Sequence, residues 1–329
     1  MLFRTIAVLA ALTAATGAAS AEPLKIRIAW SSAPGQVQPL MQHMPKEVIP
    51  HWGKTYVVDA IFMQGSGPML TGLAAKEVDF VDYSYQSFAN GVVEAKLDMR
   101  LVSDSLSDKP PYRTSGYWYH PDSGIRSVDD LRGRTLAINA RGSTNEAGLR
   151  KMMSDHGMAD GKDYQIVEMR FDALLSALRS RRADLGFLVL PLDMIAEREG
   201  FKRLFTMRDA LGPAQTVVVG ALAEFVAKNR AALVDYYEDD LRMRRWLYDP
   251  KNRTEMLEIV SKVTKRSAAD LAWSFTKDDN HRDPGGEIDA VLLQKNVDDL
   301  SRLGLIKGTF DVTKYLDLSI VREAAARLK

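Results

Sequence analysis

Several short segments carry residues suited to holding a small polar molecule. Arg141-Gly142-Ser143-Thr144-Asn145 stands between a strand-like apolar run and a helical one. A Gly-, Ser- and Thr-rich loop that opens a helix presents unpaired backbone N–H groups and the positive end of the helix dipole, a ready place for an anion. Arg141 could add a charge-assisted bond to a carboxylate or sulfonate. The same residues would also serve as an ordinary helix cap beside a solvated arginine. Gln64-Gly65-Ser66-Gly67, Ser84-Tyr85-Gln86-Ser87 and the stretch from Ser32 to Gln36 likewise follow strand-like runs, with plain turn chemistry as their alternative. Tyr85, Tyr112 and Phe187 are of the type that stacks on a ring or closes an apolar wall, and equally of the type that fills a core.

Other chemistries find little here. The run Asp278-Asp279-Asn280-His281-Arg282-Asp283 lacks the central glycine and terminal glutamate of a calcium loop and reads as a solvated loop. His43, His51, His120, His156 and His281 are scattered without paired-ligand spacing, so no metal is expected. No Gly-x-Ser-x-Gly elbow or Walker loop occurs, and Gly65-Ser66-Gly67 stops short of a dinucleotide fingerprint because position 70 is leucine. The chain has no cysteine, which removes disulfides, thiolate ligands, a cysteine nucleophile and the cysteine of a lipid anchor. No cofactor and no enzymatic activity are expected.

The elements that must carry these loops alternate in kind. Strand patterns cover Leu24 to Trp30, Tyr56 to Met63 and Val78 to Tyr83, with Met69 to Lys76 helical between the last two. The segment from Gln36 to Trp52 has helical composition but carries Pro39, Pro45 and Pro50. A second unit runs through strands at Ser115 to His120, Thr135 to Asn139, Gln165 to Met169 and Asp184 to Leu190, the last ending at Pro191. Helices are expected at Ser127 to Leu131, Glu146 to His156 and Asp172 to Arg181, and a final strand at Thr216 to Ala221. Glu224 onward reads as almost wholly helical, and the acidic and basic residues within Tyr236 to Trp246 suit a charged outer face. This strand–loop–helix rhythm is that of parallel α/β sheets, whose ligands bind beyond the strand ends.

Arg4, the apolar run Ile6 to Ala15 and Ala19-Ser20-Ala21 form a secretory leader pattern, with the mature chain expected from Glu22. The chain is therefore expected in the periplasm. Lys and Arg number 44 against 43 Asp and Glu, and loss of Arg4 with the leader leaves 43 against 43. A neutral surface points to neither nucleic acid nor membrane. The length remaining suits two lobes better than one core.

The stretch SGIRSVDDLRGRTLAI (Ser123 to Ile138), the Gly142-Ser143-Thr144 loop and ALRSRRADLGFLVLP (Ala177 to Pro191) together resemble the substrate-binding proteins of nitrate/sulfonate/taurine-type ABC importers. GPMLTGLAAKEVDFVDYSYQS (Gly67 to Ser87) and LQKNVDDLSRLGLI (Leu293 to Ile306) extend the likeness along the chain. The family's usual glycine before the strand-entry aspartate is missing at both Lys76-Glu77-Val78-Asp79 and Arg181-Arg182-Ala183-Asp184.

The resemblance implies a type II periplasmic binding fold, two α/β lobes joined by two crossing strands. Lobe one would comprise residues 22–113 and 220–329, and lobe two residues 114–219. The crossing strands would lie near Arg113 to Gly116 and Gln215 to Val219. It also implies ligand contacts from Ser32, Gln36, Gln64, Ser66, Ser84, Tyr85, Gln86, Arg141, Ser143, Thr144, Asn145 and Pro191, with Arg113 and Gln215 at the cleft floor. The expected ligand is a small organic anion, a sulfonate or carboxylate that could carry a ring. The expected partners are an ABC permease and its ATPase, served by a monomeric binding protein. A TRAP-type receptor and an enzyme on the same fold are the alternatives.

Overall fold

The computed structural model describes residues 22–328; the expected leader lies outside the described residues. From the N-terminal side come β1 (Leu24–Trp30), β2 (Tyr56–Phe62), α1 (Ser66–Ala74), β3 (Phe80–Ser84), α2 (Tyr85–Val93) and β4 (Met99–Asp108). The chain then builds β5 (Gly116–Tyr119), β6 (Thr135–Ile138), α3 (Thr144–Asp155), β7 (Gln165–Glu168), α4 (Phe171–Arg179), β8 (Leu185–Leu188), α5 (Leu192–Arg198) and β9 (Lys202–Thr206). It returns through α6 (Met207–Leu211) to β10 (Ala214–Leu222). It closes with α7 (Ala223–Lys228), α8 (Arg230–Tyr248), α9 (Arg253–Thr264), α10 (Ala290–Arg302) and α11 (Ser319–Arg327).

Two five-stranded sheets result, ordered β2-β1-β3-β10-β4 and β7-β6-β8-β5-β9. Both have the same plan. A parallel trio (β2-β1-β3, β7-β6-β8) is followed by one antiparallel strand, β10 or β5, and an edge strand beyond it. Each sheet with its helices forms a lobe, and the chain passes between lobes twice. The second passage is α6 and the turn after it. Residues 215–219, expected in the second lobe, pair along β10 with β3 and β4 and so belong to the first sheet.

An aspartate locks the same joint in each lobe. Asp79 accepts the Arg27 backbone N–H at 2.9 Å and gives its own N–H to the Arg27 carbonyl at 2.8 Å. Asp184 does the same with Thr135, at 2.9 and 2.8 Å. The turns before them need a left-handed residue, and Lys76 (φ 58°) and Arg181 (φ 55°) adopt that conformation where glycine would be least strained.

β4 carries no clear strand pattern, because Ser103, Asp104, Ser105 and Ser107 are buried along it. They are held by polar partners: Arg244 donates to the Asp104 carbonyl at 2.9 Å, and Ser105 donates to Asp82 at 2.9 Å. α2 and β9 were likewise hidden, α2 because Ser84-Tyr85-Gln86-Ser87 has turn composition while Ser84 in fact caps the helix. The Gln36 to Trp52 segment forms only a 3₁₀ turn over Gln38–His43, as its prolines dictate.

Two charged segments expected at the surface are interior in part, with Arg245 and Asp278 exposed. Within α8, the residues Glu238, Asp239, Asp240 and Arg244 are buried, Arg244 bonding Asp240 at 2.7 Å across one turn. The Asp278 to Asp283 loop is buried at Asp279 and Arg282, which pair at 2.9 Å. Burial is tolerable for Glu238, Asp240, Arg244, Asp279 and Arg282 because each pairs with an opposite charge, whereas Asp239 is held by the Tyr56 hydroxyl and the His51 N–H, and burial raises its pKa.

Candidate ligand cleft

The C-terminal ends of the parallel strands in both lobes face a common cavity of about 150 Å³. That is of the order that admits one aromatic ring. From lobe one it is lined by Ser31, Ser32 and Gln36 after β1, by Ser66 at the start of α1, and by Ser84 before α2. Lobe two contributes Asn139 after β6 and Ser143, Thr144 and Asn145 at the start of α3. Phe187, Leu190, Met207 and Trp273 supply apolar wall. The cavity thus has a polar end made of helix starts and an apolar body.

Three helix N-termini meet there. Ser84 accepts the Ser87 N–H at 3.2 Å, capping α2, and Ser143 accepts the Glu146 N–H at 3.4 Å, capping α3. α1 begins after Gly65 with no side-chain cap and no acidic residue in its first turn. First-turn N–H groups have no partner within their own helix, so acceptors on a ligand are their natural complement.

Gln36 shapes the cavity by holding its first loop. Its Oε1 accepts the N–H groups of Ser31 and Ser32 at 2.6 and 2.9 Å, and its Nε2 donates to the Asp82 carbonyl. From outside, Arg282 donates to the carbonyls of Gly35 at 3.0 Å and Pro34 at 3.2 Å, to Asp279 at 2.9 Å and to the Tyr248 hydroxyl at 3.0 Å. The charged lining group is Asp108, whose carboxylate accepts Arg208 Nε at 2.7 Å and the Thr114 hydroxyl. Burial raises the Asp108 pKa against the pull of Thr114 and Arg208.

Ser32, Gln36, Ser66, Ser84, Ser143, Thr144 and Asn145 are brought together as the sequence predicts. The others go elsewhere. Arg141 turns away into an acidic cluster, 3.2 Å from Asp160 and 3.4 Å from Glu146, with its N–H on Glu168 at 2.7 Å. Arg113 pairs with Asp193 at 2.9 Å and Glu197 at 3.2 Å. Tyr85 is wholly buried, its hydroxyl without a partner among the described residues, and burial holds its pKa well above the ordinary phenol range. Gln86 is buried against Glu146 at 3.3 Å. Gln215 is wholly buried, joining Asn296, Asp104 and Asp289 in the frame of lobe one. Gln64 and Pro191 line a neighbouring chamber rather than this cavity. Tyr112 packs edge-on against His281 at 4.9 Å, so of the candidate aromatic walls only Phe187 reaches the cavity.

Asp108, Asn139, Met207, Trp273 and Asn280 line the cavity without having been singled out. Asn139 was within reach of the strand-end argument, since it directly follows β6. Trp273 and Asn280 come from the C-terminal segment, and no local pattern marks which of its residues folds back over the cleft.

The lobes touch beside the cavity. Ser84 and Ser87 both donate to the Gly142 carbonyl, at 2.9 and 2.7 Å, and Thr144 donates to the Thr216 carbonyl at 2.8 Å. Gly65 allows the approach: a Cβ there would lie 2.8 Å from that of Ala140.

Two α/β lobes of one topology around a cleft at their strand ends define the fold of the type II periplasmic binding proteins. Residues 105–236 match the family described as NMT1/THI5 like. A search of the curated proteins gives no match. Among solved structures, the alkanesulfonate-binding protein SsuA of Xanthomonas axonopodis pv. citri, bound to MOPS, is 14% identical. It aligns over 90% of this chain and 99% of its own, with a TM-score of 0.72. The periplasmic nitrate-binding protein NrtA of Synechocystis PCC 6803 is 14% identical over 94% and 90%, also with a TM-score of 0.72. The desulfurization enzyme DSZB is 12% identical over 93% and 100%, with a TM-score of 0.63. Among the described residues no helix is long and apolar enough to cross a membrane.

Proposed function

We propose that this chain is the periplasmic solute-binding component of an ABC importer, taking a small organic anion between its lobes and delivering it to the permease. The observation that carries the reading is the convergence of the α1, α2 and α3 starts on one end of a cavity sized for a single ring. The anion would be held by first-turn backbone N–H groups and the Ser32 and Ser66 hydroxyls rather than by a cation, since the Ser84, Ser143 and Thr144 hydroxyls donate to protein carbonyls and Arg141 and Arg113 are engaged elsewhere. A sulfonate or carboxylate head with an aromatic body fits both ends. Binding would favour the closed arrangement by its differential affinity for it.

The lobes on this reading are residues 22–113 with those from 214 onward, and residues 114–213. The TRAP-type alternative draws no support from the comparisons. An enzymatic reading has the likeness to DSZB in its favour. Against it, the cavity wall brings no histidine to a serine hydroxyl among the described residues.

A thermal-shift panel of benzoate, benzenesulfonate, nitrate and benzamide on the purified protein tests the reading. Benzoate or benzenesulfonate should raise the melting temperature, and benzamide should not. A shift with the uncharged amide alone would overturn the anion assignment. Undiminished uptake of the anion in a strain lacking only this protein would overturn the transport role.

A further inference from the structure

A second chamber of about 250 Å³ adjoins the cavity and shares Ser31, Ser32, Phe171, Val189 and Leu190 with it as common wall. Its chemistry differs. Arg266, just beyond α9, lines it half-buried, and among the described residues its guanidinium makes no hydrogen bond and no ion pair. A partly buried guanidinium with no protein acceptor among the described residues, facing an interlobe space, is free to take an acceptor from a ligand. Arg170 enters from the other lobe, lying over the Phe62 ring at 5.2 Å. Among the described residues its carboxylate contacts are the long ones to Asp172, at 3.3 and 3.4 Å. The Trp30 indole N–H, in the same wall, is buried without an acceptor among the described residues. Two guanidiniums against the single Asp172 carboxylate leave the chamber net positive, and Phe62, Trp30 and Phe171 give it aromatic faces.

We infer that the ligand is two-headed: an aromatic acid whose first anionic group sits at the helix starts and whose second, on a short arm, reaches Arg266 in the second chamber. Arg266 is then the residue that selects a diacid over a monoacid, with Arg170 in support. Planar bidentate pairing suits a carboxylate or sulfonate here, and the neighbouring rings can flank the arm. The inference rests on the anion-binding reading above and deepens it.

Calorimetric titration of the purified protein with 3-(4-carboxyphenyl)propanoate, with the analogue whose propanoate arm is a primary amide, and with benzoate and benzenesulfonate tests it. The diacid should bind at least tenfold more tightly than its amide. In Arg266→Gln that gap should close to within about twofold, in Arg170→Gln it should narrow partly, and Arg266→Lys should restore some of it. Because the Arg266 guanidinium makes no hydrogen bond or ion pair among the described residues, the thermal melt of Arg266→Gln should stay close to that of the unaltered chain. Equal affinity for diacid and amide, or a gap that survives Arg266→Gln, overturns the two-headed ligand while binding of benzoate or benzenesulfonate leaves the first cavity's role standing. If none of the four compounds binds, the anion reading itself fails and this one with it.

Discussion

The Ser84 hydroxyl, at the N-terminus of α2 in one lobe, donates to the carbonyl of Gly142, before α3 in the other, at 2.9 Å. Ser87 donates to the same oxygen at 2.7 Å, so one carbonyl of lobe two is gripped by two hydroxyls of lobe one. These bonds join the two lobes beside the cavity.

Replacing both hydroxyls, in Ser84→Ala/Ser87→Ala, should therefore weaken ligand binding by opening the closed arrangement. Two neutral hydrogen bonds at about 1 kcal/mol each correspond to a loss of the order of tenfold or more in affinity. Gly65→Val should act the same way by steric means, since even a Cβ meets Ala140 at 2.8 Å. Small-angle scattering of the liganded protein should give a larger radius of gyration for both variants. An unchanged radius with unchanged affinity would show that these contacts do not govern closure.

Arg141 and Ser143 are two residues apart and should behave oppositely. Arg141→Gln should leave affinity within about twofold, because its guanidinium is turned to Asp160 and Glu146. Ser143→Ala should cost about 1 kcal/mol of stability through the lost cap and also reduce affinity, since Ser143 lines the cavity. Parallel titrations and melts of the two variants provide the check.

Arg282 supports the cleft from behind. Arg282→Met should destabilise the protein by roughly 3–5 kcal/mol, because Asp279, with no exposed surface, loses its cation and keeps only the Phe275 and Asn280 N–H groups. It should also loosen the Pro34-Gly35 loop and lower affinity. Adding Asp279→Asn removes the stranded charge, so denaturant melts should recover much of the stability. Affinity should stay low, because the loop carbonyls remain unheld.

Asp82 should make stability depend on pH. It is fully buried, one carboxyl oxygen accepts Ser105 at 2.9 Å and the other has no partner among the described residues, and burial pushes its pKa up to about 6. The folded protein therefore keeps a proton that the unfolded chain releases near its ordinary value of 3.8. The associated stability is complete below about pH 4 and is lost as pH rises through about 6. At roughly 1.4 kcal/mol per unit the loss is on the order of 3 kcal/mol. Asp82→Asn should raise the melting temperature at pH 7.5 by several degrees and change it little at pH 4. A melt as pH-dependent as that of the unaltered protein would exclude Asp82 as the source.

The sequence by itself determined the α/β rhythm and the polar loops that line the cleft. Strand alternation and a Ser, Thr or Gly at a helix start are local consequences of backbone geometry, so Ser32, Ser66, Ser84 and Ser143 to Asn145 could be read from their neighbours alone. What the tertiary structure decided was where long polar side chains go. Arg141 and Arg113 have the reach to find carboxylates on other elements, and a guanidinium settles where charge and hydrogen bonds are best paired, not where its loop points. The same physics hid β4 and the buried face of α8. Their polar residues mimic a surface until Arg244 and the serines are seen to satisfy one another inside. Arg266 is the converse case: nothing in its sequence surroundings marks it, and only the assembled lobes leave it facing a chamber with no partner among the described residues.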